Sequence, residues 1–313
     1  MNATSSSAKL CLAMLATLSF PSLGSELLDV YGRVDVSLQR NDDGVSSDSE
    51  MVSNSSRFGV KGSQALEHEL EVFYRLEWQV DVADLGGDDN ITSRNQYIGL
   101  GGAFGQVMLG RRDTVLKDLQ GTIDQFSDYE MDIKALWEGE NRTSDTLTYY
   151  SPKWQQWRVG LSYILSEEDD TDDGLSLSLA YGDEYLRDTG WYVGVAVDRD
   201  VDGYDVVRAA LSTKWRDTVL GLMYQTQELS DDGGDKADGF VVSAAHPFGQ
   251  LTLKLQAQLM DYDEQDGSDT SWAAGVDYRL GDNTKVYAWY GLRDLETSNL
   301  DQDYIAVGIR HNF

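Results

Sequence analysis

Alternate residues of segment 69–82 belong to two chemically different sets. One set is apolar or aromatic throughout: Leu70, Val72, Tyr74, Leu76, Trp78, Val80 and Val82. The other is charged or polar at every position but one: Glu69, Glu71, Phe73, Arg75, Glu77, Gln79 and Asp81. Only a period of two separates these sets, because successive side chains of a β-strand point to opposite faces. The segment is longer than the roughly 5–6 residues usual for a strand, and about 10 tilted residues cross a bilayer. Taken alone, it fits a membrane-spanning strand and a half-buried soluble strand equally well.

The same alternation recurs along the chain. Further stretches with one apolar and one polar set are 30–39, 175–182, 251–260, 272–280, 285–293 and 305–313. Short turns are predicted between strands at 64–67, 102–105, 153–156, 183–189, 216–217, 247–250 and 281–283. The connections that alternate with them are mostly acidic and rich in Gly and Ser: 41–55, 84–93, 112–145, 166–173, 200–203, 230–237, 263–269 and 297–302. The segments between these connections predict an all-β protein, a transmembrane antiparallel β-barrel of about sixteen strands.

Closure of the barrel follows from the solvent on its outer face. In hydrocarbon, the edge amides and carbonyls of an open sheet would lack partners, at a cost of several kcal/mol each. A barrel of about sixteen strands also encloses water, because its diameter grows with strand number. Aromatic residues near strand ends suit the two membrane interfaces: Tyr149, Trp157, Trp191, Trp215 and Trp272. The fold itself therefore predicts a channel.

Residues 1–24 have the pattern of a secretory signal peptide. Lys9 supplies the positive charge, 10–20 the apolar core, and 22–24 a small-x-small cleavage site. The single cysteine, Cys11, lies inside this segment, so the mature chain 25–313 has none and forms no disulfide. We predict a protein exported through a cleaved signal peptide, with one barrel domain over 25–313.

The charge balance limits the possible partners. The chain has 54 acidic and 25 basic residues, a formal net charge of −29, which excludes a nucleic-acid partner. The acidic loops either bind divalent cations loosely, shared with lipopolysaccharide phosphates, or simply keep the surface solvated. No cofactor is predicted, because Asp198, Asp200 and Asp202 imitate a calcium loop that has Ala209 where the final glutamate belongs. Negative charge near the channel mouths predicts a weak cation preference.

The connection 112–145 is far longer than the others, and long loops are usually functional. It mixes carboxylates with many apolar residues, which favours a loop folded into the barrel over an external lid. Strand parity places six basic residues on the inner face: Arg33, Arg57, Lys61, Arg75, Arg94 and Arg142. An acidic loop opposite these cations would create a transverse field in a narrow waist.

Four segments in order resemble the general diffusion porins of the Gram-negative outer membrane. They are 30–33 (VYGR), 57–62 (RFGVKG), 110–113 (GRRD) and the end of the chain, 308–313 (GIRHNF). The resemblance implies a sixteen-stranded homotrimer in the cell outer membrane, with the third loop folded into the lumen. It maps the basic wall of the constriction onto Arg33, Arg57, Arg94 and Arg142. The family's Pro-Glu-Phe-Gly-Gly type of loop tip is absent, and Asp124, Asp128 and Glu130 are the candidate acidic partners.

The predicted function is passive diffusion of ions and small hydrophilic solutes, without catalysis. One alternative is a substrate-specific porin for an oligosaccharide or anion, for which Tyr31, Phe73, Tyr287 and Trp289 would form an aromatic track. Others are a barrel-form outer-membrane hydrolase and a purely structural or adhesive barrel.

Overall fold

The computed structural model describes residues 28–84, 90–166, 172–230, 236–265 and 267–313. The predicted signal peptide 1–24 lies outside the described residues, as do parts of the predicted loops 84–93, 166–173, 230–237 and 263–269. Within the described ranges, seventeen strands form one antiparallel sheet. They are β1 (Asp29–Asp42), β2 (Ser47–Ser53), β3 (Arg57–Ala65), β4 (Glu71–Val80), β5 (Ile91–Gly102), β6 (Gly105–Asp113), β7 (Arg142–Tyr150), β8 (Trp157–Ile164), β9 (Gly174–Gly182), β10 (Trp191–Val201), β11 (Tyr204–Trp215), β12 (Thr218–Leu229), β13 (Lys236–Phe248), β14 (Leu251–Tyr262), β15 (Ser268–Arg279), β16 (Thr284–Leu295) and β17 (Leu300–Asn312).

Among the described residues, helix is confined to short segments. One α-helical turn, α1, covers Val115–Asp118, and two 3₁₀ turns cover Glu67–Glu69 and Ile133–Ala135. No helix in the described part of the chain is long and apolar enough to cross a membrane.

The sheet closes on itself through β1. On one side β1 pairs with β17, and the chain end is bonded in both directions, with Gly32 N to Phe313 O at 2.8 Å and Phe313 N to Gly32 O at 3.0 Å. On the other side β1 pairs with β2 and β3, which lie end to end along it. Together β2 and β3 therefore make one pass, and the barrel has sixteen strands, as the alternating pattern predicts.

The two faces of the wall differ as predicted. Outward side chains are apolar and exposed, including Val30 (60% exposed), Leu255 (57%) and Val307 (54%). Inward side chains of the same strands are polar, and Gln256 and Gln258 are buried inside the barrel. A band of exposed apolar side chains around the whole circumference is stable only against lipid. Exposed tryptophans lie close to the short turns: Trp154, Trp157, Trp191 and Trp215.

The prediction of a loop at 41–55 is wrong for most of these residues. Strand β1 extends to Asp42 and β2 begins at Ser47, so a β-hairpin prolongs the wall at the long-loop end. The turn is closed by the Asp43 carboxylate, which accepts hydrogen bonds from the backbone N–H groups of Val45 (2.9 Å) and Ser46 (2.7 Å). An Asp that bonds to nearby backbone N–H groups stabilises a tight turn, and this local chemistry outweighs the acidic, Ser-rich composition.

The lipid-facing surface generates a stability prediction. Val242 lies in the middle of β13 and faces outward, so Val242→Arg should destabilise the folded barrel by about 2–4 kcal/mol. The matched change Thr252→Arg, on the lumen side, should cost less than about 1 kcal/mol. Urea titrations of the protein refolded into lipid vesicles, followed by tryptophan fluorescence, measure both. Equal costs would contradict the assignment of the two faces.

Candidate functional site

The long loop between β6 and β7 comprises residues 114–141, because β6 extends to Asp113 and β7 begins at Arg142. Its apolar side chains are almost fully buried: Val115, Leu116, Leu119, Ile123, Phe126, Met131, Ile133 and Trp137. Most of them pack on inward residues of β10 to β14, and Phe126 and Met131 pack on β15 to β17. Val115, at the start of the loop, packs on Met108 of β6 and Tyr150 of β7. The loop therefore lies inside the barrel against one half of the wall, and the open lumen is left beside β1 to β7.

Polar groups of β14 hold the middle of the loop. The Gln125 N–H donates to Gln256 Oε1 (2.7 Å), and Lys254 Nζ donates to the Gln125 carbonyl (2.9 Å). The carbonyl of Met131 accepts from the side-chain amides of Gln256 and Gln258, both at 3.1 Å. These bonds satisfy wall amides that the loop would otherwise bury without partners.

The end of the loop is held by a buried arginine on β11. Arg208 is completely buried and forms an ion pair with Glu140 (Nη1 to Oε1, 2.6 Å). It also donates to Gln225 Oε1 (2.7 Å) and to the Glu138 carbonyl (3.0 Å). Burial raises the pKa of Glu140, and the charge of Arg208 opposes that shift. Removing one partner of a buried pair typically costs about 3–5 kcal/mol, so this contact strongly fixes the loop.

The loop tip reaches the opposite, basic wall through Asp128. Its Oδ2 lies 2.5 Å from Arg33 Nη2 and 2.9 Å from Arg57 Nη2. The Asp128 N–H donates to Asp132 Oδ2 (2.8 Å), and its φ of +72° is in the left-handed region. A non-glycine residue in this region is unusual and is held by its surroundings, here two arginines and Asp132.

The other two arginines of the predicted wall lie beside Arg57. Arg94 donates to Glu77 Oε1 (3.0 Å) and Gln79 Oε1 (2.8 Å), and Arg142 pairs with Asp113 (2.9 Å). Glu77 is absent from the predicted site, although strand parity places it on the inner face with the arginines. Asp113 falls in the predicted loop 112–145, whereas the structure places it at the end of β6, beside Arg142.

Two predicted acidic partners do not meet the basic wall. The Asp124 carboxylate accepts the backbone N–H groups of Phe126 (2.9 Å) and Ile133 (3.4 Å), inside the loop. Burial and the nearby Asp132 raise its pKa well above the usual range, which disfavours a charge there. Glu130 is exposed on another side of the loop, where its carbonyl accepts from Arg293. Of the three candidates, only Asp128 contacts the arginines.

Two predicted basic residues lie away from the loop tip. Lys61 and Arg75 are directly paired across β3 and β4, on the short-turn side of Arg57. Four residues separate Lys61 from Arg57, which is about 13 Å along an extended strand. Lys61 pairs with Asp29 (3.1 Å), so these residues belong to the channel wall beyond the Asp128 contact.

Water-accessible space surrounds the tip of the loop. A polar cavity of about 480 Å³ lies between the loop and the arginines, and a second of about 610 Å³ adjoins it. Asp128, Asp132 and Lys134 line both cavities. The aromatic residues Tyr287 and Trp289 are buried instead, against Tyr129 of the loop, so they form no track along open water. The space that remains is a polar passage.

Comparisons with known proteins agree with this geometry. The profile of the Gram-negative porin family matches residues 11–298. Outer membrane porin protein 32 of Delftia acidovorans is 24% identical, with 97% of this chain and 99% of that protein covered. Major outer membrane protein P.IB of Neisseria meningitidis serogroup B is 26% identical, covering 82% and 72%. Among solved structures, an anion-selective porin from Comamonas acidovorans superposes with a TM-score of 0.80 at 20% identity, covering 91% and 99%. The trimer form of OmpT from Vibrio cholerae gives 0.71 at 16% identity, covering 91% and 99%.

The barrel, the water-lined passage and these likenesses lead to one conclusion. The protein lies in the cell outer membrane and forms a channel for passive diffusion. The chain belongs to the Gram-negative porin family.

Proposed function

We propose that the passage between loop 114–141 and β1–β7 is the constriction of a general diffusion channel with a weak cation preference. The observation that carries this proposal is Asp128, which reaches across the lumen to Arg33 and Arg57. Ions and small hydrophilic solutes would pass beside this contact, between acidic loop side chains and a basic wall. The channel needs no cofactor and catalyses no reaction, because diffusion through water requires neither.

The charge distribution supports the sign of the preference. The two cavities beside the loop are lined by seven basic and seven acidic side chains among the described residues. The constriction is therefore nearly neutral as a whole. The formal charge of −29 for the chain must then lie mostly outside the constriction, where it attracts cations to the mouths.

The proposed function also includes an assembly of several barrels. We infer a homotrimer in outer-membrane lipid, with the long-loop end facing lipopolysaccharide. The structurally similar OmpT of Vibrio cholerae has a trimer form, which supports this inference. The acidic loops at that end would share divalent cations with lipopolysaccharide phosphates or remain solvated.

A preference that arises at the mouths should depend strongly on salt. The screening length falls from about 10 Å at 0.1 M to about 3 Å at 1 M, so charges at the mouths lose their influence. We expect a cation preference in reversal potentials at 0.1 M KCl that approaches neutrality at 1 M. An anion preference at low salt, or a preference that does not change with salt, would count against the proposal.

Removing the Asp128 charge should shift the selectivity towards anions. In Asp128→Asn, Arg33 and Arg57 lose their shared counter-charge, and one charge about 4 Å away is worth about 1 kcal/mol in water, or about fivefold in local ion concentration. The expected change in the permeability ratio is therefore up to about fivefold.

Asp217→Asn is the matched control, because it removes the same charge at the short turn between β11 and β12. Reversal potentials of both variants in planar bilayers test the assignment. If the control shifts the selectivity as far as Asp128→Asn does, the position of Asp128 at the loop tip gives its charge no special influence on the passing ions.

A further inference from the structure

The lumen wall carries a second group of charged and aromatic side chains, away from the constriction. Lys61 on β3, Arg75 on β4 and Tyr97 on β5 occupy directly paired positions on three neighbouring strands. Phe73, two residues from Arg75, has its ring 6.4 Å from that of Tyr97 in an edge-to-face arrangement. On β1, the Tyr31 ring lies 5.2 Å from Lys61 Nζ and 5.9 Å from Arg75 Cζ. Two neighbouring cations thus lie between aromatic rings on four adjacent strands.

The positive charge of this group is only partly compensated. Lys61 pairs with Asp29 at 3.1 Å, but Arg75 has no carboxylate oxygen within 4 Å in the part of the chain that the structure describes. Its Nε is also buried without a hydrogen-bond partner there. Like charges at directly paired positions such as Lys61 and Arg75 destabilise a sheet. In so acidic a protein, an uncompensated arginine in the channel wall calls for an explanation.

Apart from its contact with the Tyr31 ring, Arg75 makes no described contact that stabilises the fold. It makes no ion pair or hydrogen bond with loop 114–141, whose Asp128 carboxylate pairs with Arg33 and Arg57 instead. Instead Arg75 lines a cavity of about 230 Å³ on the short-turn side of the constriction, together with Lys61, Phe73 and Tyr97. Asp29, the partner of Lys61, also lines this cavity, so Arg75 is its one cation without a carboxylate partner among the described residues. This volume is below the range of about 300–1,000 Å³ for drug-sized ligands, so it suits a solute with a single ring.

The chemistry of the cavity defines its ligand. A guanidinium binds a carboxylate through two parallel hydrogen bonds, and a neighbouring ammonium adds a point charge. Aromatic side chains contact a planar ring through edge-to-face or offset packing. A small aromatic monocarboxylate, such as benzoate, combines the two groups that this wall can recognise.

We propose that Arg75, Lys61, Phe73 and Tyr97 form a binding subsite for small aromatic carboxylates on the way through the channel. Arg75 and Lys61 hold the carboxylate, and Phe73 and Tyr97 contact the ring. The inference rests on the channel function proposed above and names one class of solute that the channel favours. Such a subsite raises the concentration of that solute at the inner wall without slowing the passage of ions when it is empty.

The test uses the full-length channel in planar bilayers with KCl as the conducting salt. Benzoate and acetate are added separately, and the fractional block of the potassium chloride current is measured against concentration. We expect half-block by benzoate at a concentration about fivefold lower than by acetate, because the contact of its ring with two aromatic side chains adds roughly 1 kcal/mol. Equal potency of the two anions, or no block by benzoate, would overturn the subsite.

Variants separate the roles of charge and ring. Arg75→Gln should raise the half-blocking benzoate concentration about tenfold, because a charge-assisted hydrogen bond is lost. Phe73→Leu should weaken block by benzoate and leave block by acetate unchanged.

The matched control is Arg279→Gln. Arg279 also lines a cavity near the short-turn end, and it has no ion pair and no aromatic ring beside it among the described residues. This variant should retain the potency of benzoate, and a loss equal to that of Arg75→Gln would refute the assignment. A protein that gives no KCl current at all would refute the channel function instead, so the two failures are distinguishable.

Discussion

Hydrogen bonding of the backbone in hydrocarbon is the constraint on which this structure depends. Water is absent there, so each exposed N–H and C=O needs a partner in the chain itself. The ladder between β1 and β17, completed by the reciprocal bonds of Gly32 and Phe313, removes the last free edges of the sheet. The outward apolar side chains then contribute favourable contacts with lipid, but they do so only because the closed ladder already satisfies the backbone. The sixteen-stranded wall and its water-filled interior both follow from this requirement.

A barrel of this size encloses more space than a selective passage needs, and loop 114–141 fills the excess on one side. Most of its apolar side chains pack on inward residues of β10 to β17, which leaves the opening beside β1 to β7. Arg33 and Arg57 on these strands therefore lie within contact distance of the loop tip. Only across such a short gap do charges interact strongly, because salt screens them over about 8 Å under physiological conditions. The asymmetry of the packing thus determines where electrostatics can act.

The strands of the barrel could be predicted from the sequence, because the orientation of each strand residue depends only on its neighbours in the chain. A period of two assigns each side chain of a strand to one face, so the inward positions of Arg33, Arg57 and Glu77 follow from their neighbours alone. The loop has no such period. Asp124 and Asp128 are four residues apart, yet one caps backbone N–H groups inside the loop and the other contacts two arginines. Which carboxylate turns outward depends on contacts with β14 and β11, far away in sequence. The hairpin at 42–47, by contrast, does follow a local rule. The Asp43 carboxylate accepts the N–H groups of Val45 and Ser46 and closes the turn, whereas the acidic, Ser-rich composition favours a loop.

Hydrogen bonds between the loop backbone and the barrel wall determine the position of the constriction. The inner wall of a barrel bears polar side chains suited to water, and covering them with an apolar loop would leave them without partners. Here the irregular backbone of the loop supplies the missing acceptors. The carbonyl of Met131 accepts hydrogen bonds from Gln256 and Gln258, and the carbonyl of Glu138 accepts them from Arg208 and Gln225. Hydrogen bonds tolerate errors of only a few tenths of an ångström, so they specify the position of the loop more narrowly than apolar packing alone. Asp128 is placed by these remote bonds, and the gap that solutes must pass is therefore set by residues that never touch them.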